Sequence, residues 1–199
     1  MTEEMQIEQL KCLNKQELVE FFIQPFRDSN YLYIKGIGDK TEAIRAVIKR
    51  LLDLFGEDKS TLLYGFRKDN ELICASLSVD SAISLSVSKL IKRIFSLIRT
   101  SGLNSIVKEF KIIHKKPKYK ERYLRVVLLG TLPVYQMQGF GRKMLHFLYK
   151  EAEKEKYKGV MILATHDTPA FRLYLKEGFI VEKEFQDRER TLCWMRRTS

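Results

Sequence analysis

Cysteine is scarce in this 199-residue chain, and the three present, Cys12, Cys74 and Cys193, are widely spaced and set in apolar surroundings. That pattern excludes a disulfide framework and a paired-cysteine metal site, and it leaves core thiols in a reducing compartment as the reading. The three histidines, His114, His146 and His166, lack ligand spacing with one another or with the cysteines, so no metal is expected. No apolar run approaches the roughly 18 to 20 residues that span a bilayer. The opening Met1-Thr2-Glu3-Glu4 is acidic, where a signal peptide is basic and then apolar. A cytoplasmic protein without membrane insertion is the expectation. Internal repeats, low-complexity tracts and linkers are also lacking, so 1–199 is expected to form one domain.

What is present is an ordinary globular composition, 45% hydrophobic and 31% charged, with an excess of one sign. Thirty-six basic residues against 25 acidic ones give a formal net charge of +11, which draws anionic ligands or surfaces by long-range attraction. Much of the excess lies between Lys108 and Arg125, where His114-Lys115-Lys116-Pro117-Lys118-Tyr119-Lys120-Glu121-Arg122 makes a basic, proline-interrupted connection. We read it as a solvated loop, with contact to nucleic acid or to a phosphate group as the alternative.

Ile7 to Leu13 is expected as a first strand. Asn14, with Glu17 three residues on and apolar Leu18, Phe21 and Phe22, predicts a capped helix that Pro25 ends or just follows. An irregular aromatic loop, Tyr31 to Gly38, precedes a helix capped by Thr41. That helix carries Ala43, Ile44, Val47, Ile48, Leu51, Leu52 and Phe55 on one face and is closed by Gly56. Gly36 to Thr41 lacks the spacing of a Walker motif and reads as a turn. Thr61–Phe66 and Glu71–Val79 predict an antiparallel hairpin across Arg67-Lys68-Asp69-Asn70. Ala82 to Thr100 has helical spacing with interleaved basic residues, followed by a shorter helical stretch, Asn104 to Ile113. Packing on a sheet is the expected use of the first, with membrane-surface association as the alternative.

Arg122 to Leu132, with Val126-Val127-Leu128-Leu129 inside it, reads as a central strand covered on both faces. Pro133 and Gly139 break the pattern, and Phe140, Met144, Leu145, Phe147, Leu148 and Ala152 give the next helix its buried stripe. Gly159 ends the connection, and Val160 to Ala164 is a second buried strand, parallel to the first through a right-handed crossover. Thr168 and Pro169 open a short helix, Ala170 to Glu177, that Gly178 stops. Phe179–Phe185 and Thr191–Arg196 finish as a hairpin. The element order predicts one mixed α/β (α+β) domain.

The turn Gln136-Met137-Gln138-Gly139-Phe140-Gly141 sets unpaired backbone N–H groups at the positive end of a helix dipole, where a phosphate binds without any particular side chain. A dinucleotide fingerprint would need a third glycine where Met144 stands, so a Rossmann reading is poor. In company with Pro133 before it and Tyr174-x-x-x-Gly178-Phe179 after it, the segment resembles the GNAT superfamily of acyl-CoA-dependent N-acyltransferases.

The resemblance covers Tyr123 to about Arg197, a cofactor-binding core of about 122–197, with acceptor-side elements at about 14–114. It implies a mostly antiparallel sheet flanked by helices, with a central parallel strand pair that splays. It also implies acetyl-CoA as cosubstrate, with no metal. Its pyrophosphate would lie on Met137, Gln138, Gly139, Phe140, Gly141, Arg142 and Lys143, with Gln136 opening the motif. The backbones of Leu129 and Thr131 would pair with the pantetheine arm as an added strand does. Tyr174 matches the tyrosine that protonates the departing thiolate.

No general base stands out, because the central strand offers Arg125 rather than a carboxylate. His114, His166, Asp167, Glu71 and Asp80 are the candidates. The implied activity is N-acetyl transfer to a small-molecule or peptide amine by direct attack, in a monomer or homodimer. A non-catalytic acyl-CoA-binding module and, less favoured, a basic nucleic-acid-binding protein are the alternatives.

Overall fold

The computed structural model describes residues 7–10, 14–27, 39–56, 61–82, 115–117, 119–187 and 190–198. The Tyr31–Gly38 loop, residues 83–113 of the two expected helices, Cys12 and His114 lie outside the described residues.

A short strand β1, Ile7–Gln9, opens the sheet. Helix α1, Lys15–Phe26, starts where expected, with the Asn14 side chain accepting a hydrogen bond from the Gln16 N–H at 2.9 Å. Pro25 falls within its last turn, and the helix ends one residue later at Phe26, where the Arg27 N–H closes back on Gln24 O at 3.3 Å. Helix α2, Lys40–Phe55, is capped by Asp39 and not by Thr41, which is already helical. Two capping types stand close together here, and the extended backbone of Asp39 selects the first.

Strands β2, Leu62–Lys68, and β3, Glu71–Asp80, form the predicted hairpin. Asp69 and Asn70 turn it with φ of 49° and 64°, a conformation that these two residue types tolerate better than most. Next come β4, Leu124–Thr131; α3, Phe140–Lys154; and β5, Gly159–Thr165. Then α4, Pro169–Lys176, leads to β6, Ile180–Asp187, and β7, Arg190–Thr198. The sheet order is β1-β2-β3-β4-β5-β7-β6, antiparallel throughout except for β4 beside β5. The fold is therefore the mixed, mostly antiparallel sheet with a central parallel pair, and β7 inserts between β5 and its own hairpin partner.

The two faces of the sheet hold separate cores. Met144, Leu145, Leu148 and Ala152 of α3, with Phe171 and Tyr174 of α4, bury against β4 and β5 on one face. Leu18, Phe22, Ile44 and Ile48 of α1 and α2 bury against β3 and β4 on the other. At its closest, α1 meets β4 at Gly130, where an added Cβ would stand 2.6 Å from Pro25 Cγ and 3.5 Å from Phe22 Cδ1. Gly130→Ala is expected to push α1 off the strand and cost about 1–3 kcal/mol, the usual penalty of overpacking. Thermal unfolding measures it, and an unchanged midpoint would refute the close approach.

Candidate active site between β4 and β5

The site begins with a fault in β4. Leu77 pairs with Leu128 and Ser78 with Val126, so Val127 has no partner on β3 and forms a bulge. A bulge bends its strand and shifts which side chains face which surface. Accordingly Leu124 and Val126 face the α3 core, whereas Leu128 faces the α1 core. The parallel pairing with β5 stops at the same place: Leu124, Arg125 and Val126 face Val160, Met161 and Ile162, and β4 then runs on to Thr131 unpaired on that side.

The backbone beyond the bulge is polar on the open side. Leu132 N–H donates to Ile73 O of β3 at 2.9 Å, and by strand alternation Leu129 and Thr131 direct their N–H and C=O groups the other way, into the wedge. One of these groups is already engaged, because Gln136 Nε2 donates to Thr131 O at 3.1 Å. Gln136 thus folds the loop back on the end of the strand. The Thr131 hydroxyl donates to Cys74 Sγ at 3.4 Å.

The loop closes through a short turn of 3-10 helix, Pro133–Tyr135, and then two residues of positive φ, Met137 at 61° and Gly139 at 86°. Met137 is 95% exposed, so its place is fixed by backbone geometry and not by packing. Gln138 Nε2 bonds to Val134 O at 2.9 Å. The first helical bond of α3 runs from Lys143 N–H to Gly139 O at 3.0 Å. The N–H groups of Phe140, Gly141 and Arg142 therefore point out of the helix end. Nothing lies within 4 Å of a Cβ built on Gly139, so this end is open.

Side chains then build the walls. Phe140 is buried against Phe66 and Tyr135, with Lys143 Nζ 5.6 Å above its ring. From the other strand, Thr168 caps α4 by accepting the Phe171 N–H at 3.1 Å. Leu173 of α4 reaches over the loop, 3.6 Å from the position of a Cβ on Gly141. Tyr174 follows it, 6% exposed, in the same core as Phe140 and Met144, with its ring 5.6 Å from that of Phe179.

Arg142 does more than add charge, because its Nε bonds to Glu177 Oε1 at 2.6 Å while His146 Nε2 meets Glu177 Oε2 at 2.7 Å. Burial alone would raise the Glu177 carboxyl, but the hydrogen bonds and charges of His146 and Arg142 outweigh it and hold it below its ordinary value. Sequence reasoning did not single out Glu177. Its partners lie 35 and 31 residues away, and no local pattern signals such a contact.

The candidate bases are scattered. Asp80 accepts Arg122 Nε at 2.7 Å and the Ala82 N–H at 2.7 Å, and Glu71 accepts the Tyr135 hydroxyl at 3.2 Å. His166 Nδ1 is 3.1 Å from Asp167, and its ring lies against Phe171. Arg125 lies over the Phe55 ring on the α2 side of β4. The two described thiols are poor nucleophiles: burial pushes Cys74 up to about 11 despite the Thr131 bond, and burial with Glu184 beside it pushes Cys193 up to about 11. Among the described residues no His, Cys, Asp and Glu cluster could hold a metal, and no helix is long and apolar enough to cross a membrane.

A central strand that parts from its parallel neighbour beside an open helix N-terminus defines an N-acyltransferase fold of the GNAT type. Residues 103–179 match the model of the Acetyltransferase (GNAT) family, which supports an acetyltransferase. The fold is similar to a Corynebacterium glutamicum protein described as histone acetyltransferase HPA2 and related acetyltransferase. That match has a TM-score of 0.67 at 14% identity, over 98% of this chain and 97% of the other. It is also similar to the Escherichia coli ribosomal-protein-S18-alanine N-acetyltransferase, with a TM-score of 0.57 at 13% identity over 96% and 91% of the two chains. Chaetomium thermophilum Naa20, solved with a bisubstrate analogue, matches with a TM-score of 0.60 at 12% identity over 97% and 86%. No curated protein sequence matches the chain.

Proposed function

We propose that the chain is an acetyl-CoA-dependent N-acetyltransferase that transfers the acetyl group to a primary amine by direct attack. The observation that carries this reading is the juxtaposition, at one end of the sheet, of an unpaired stretch of β4 and the open N-terminus of α3. A pyrophosphate suits the N–H groups from Met137 to Arg142, with the Lys143 side chain adding charge beside them because its own N–H is spent on Gly139 O. An extended amide-bearing arm suits the free edge of Leu129 and Thr131. Because the Thr131 carbonyl already holds Gln136, the Thr131 N–H and the Leu129 groups are the better partners for that arm.

In the reaction the amine nitrogen, once deprotonated, bonds to the thioester carbon. Backbone N–H groups of β4 take up the charge on the carbonyl oxygen, the C–S bond breaks as the nitrogen releases a proton to solvent, and Tyr174 gives its phenolic proton to the thiolate and is then reprotonated from solvent. No covalent enzyme intermediate is required, in keeping with the raised Cys74 and Cys193 thiols. The amine acceptor is a small molecule or a peptide, met in the cytoplasm by a monomer or homodimer.

One observation favours a second reading, a non-catalytic acyl-CoA-binding module: β4 carries Arg125 where a carboxylate base would serve, and Asp80 is held by Arg122. Calorimetric titration with acetyl-CoA, followed by an amine panel read by CoA-thiol release, separates the two. Binding with release from at least one amine is expected. Binding without release from any amine would favour the module, and no binding would refute both.

A further inference from the structure

Glu177 ends α4 three residues after Tyr174, and its N–H bonds to Leu173 O at 3.0 Å and to Tyr174 O at 3.1 Å. Its side chain leaves α4 altogether. With only 9% of that side chain exposed, one oxygen takes Arg142 Nε and the other meets His146 Nε2. Arg142 follows Gly141 in the first turn of α3, and His146 lies one turn further along the same face. One carboxylate therefore bridges two donors of the helix whose N-terminus forms the open anion end. Leu173 of the same helix also comes near Gly141, 3.6 Å from where a Cβ would stand, a second point at which the two helices approach.

We propose that Glu177 is a positioning residue that fixes the helix carrying Tyr174 against the N-terminus of α3. The inference rests on the reading of Tyr174 as the acid that protonates the leaving thiolate. If the pyrophosphate is held at α3 and the proton is delivered from α4, the spacing of the two helices sets the distance from sulfur to phenol. Errors of about 1 Å in such a distance cost on the order of 10²-fold in rate. Truncating Glu177 leaves no buried charge without a partner, since the side chains of Arg142 and His146 are 54% and 57% exposed. A kinetic defect is therefore separable from unfolding.

The test is a double-mutant cycle on the full chain with Glu177→Ala, Tyr174→Phe and the pair together. It measures kcat by CoA-thiol release, acetyl-CoA Kd by calorimetry and the thermal midpoint. Glu177→Ala is expected to lower kcat roughly 10- to 100-fold and to change Kd less than about threefold. In the Tyr174→Phe background the same substitution should lower kcat less than about twofold, because the group it positions has gone.

Equal losses in both backgrounds, or a loss confined to Kd, would overturn the positioning role while leaving the acid assignment intact. A wild-type kcat for Tyr174→Phe would remove the acid assignment and this proposal with it. Glu177→Gln keeps the side-chain shape and a carbonyl for Arg142, so it should recover a large part of kcat, and it carries the cycle if the alanine variant does not fold.

Discussion

Tyr174→Phe is expected to lower kcat by about 10²- to 10³-fold with less than about a threefold change in acetyl-CoA affinity, the range of a lost general acid. The ring should stay where it is, because Tyr174 is buried among Phe171, Phe179 and the apolar stripe of α3, and phenylalanine preserves those contacts. What goes is one proton donor. A thiolate is a tolerable but not a good leaving group at neutral pH, and an ordinary phenol, with a pKa of about 10, can protonate it without holding the proton too loosely. The loss should therefore shrink with an acyl donor whose thiol is more acidic than that of CoA. An unchanged kcat, or a defect seen only in KM, would place Tyr174 in the core alone.

Local chemistry made much of this architecture readable from the chain. Asn14 and Thr168-Pro169 each govern a helix start within a few residues of themselves and act as expected. The expected hairpin forms with a turn of Asp69-Asn70, two residues shorter than the Arg67–Asn70 connection read from the sequence. The buried stripe of α3 and the glycines ahead of it are likewise local, so the open N-terminus of α3 could be read directly. Three features could not.

The bulge at Val127 sits inside the run Val126-Val127-Leu128-Leu129, whose unbroken apolar character conceals which residue loses its partner on β3. The place of β7 between β5 and β6 is set by pairing across the sheet, which no hairpin signal encodes. Glu177 reads locally as an ordinary charged residue before a helix-ending glycine, and only the approach of α4 to α3 reveals its two partners. The elements expected on the acceptor side, the Tyr31–Gly38 loop and residues 83–113, fall outside the described residues.

Gly139→Asp is expected to leave the thermal midpoint within a few degrees of wild type or above it, while weakening acetyl-CoA binding by about 100-fold or more. The two halves of that result have separate causes. Gly139 has φ of 86°, a left-handed conformation that costs most residues about 1–2 kcal/mol but that aspartate adopts more readily. A Cβ there meets nothing within 4 Å, and a carboxylate beside the positive end of α3 is favourable by about 0.3–1 kcal/mol, so strain and charge roughly cancel in the free protein. In the complex the same carboxylate competes for the N–H groups of Phe140, Gly141 and Arg142 and repels the phosphates that would lie on them.

Coulomb repulsion between unit charges about 4 Å apart reaches roughly 4 kcal/mol near a protein surface, well beyond the roughly 2.7 kcal/mol that a 100-fold loss requires. Gly139→Asn carries the same shape and backbone tolerance without the charge, so its loss should be smaller by at least about tenfold. Calorimetry at low and high salt distinguishes the two variants, because only the aspartate defect should diminish as ionic strength screens the repulsion. Equal losses for asparagine and aspartate would mean that shape and not charge governs the loop, and undiminished binding by both would place the anion elsewhere.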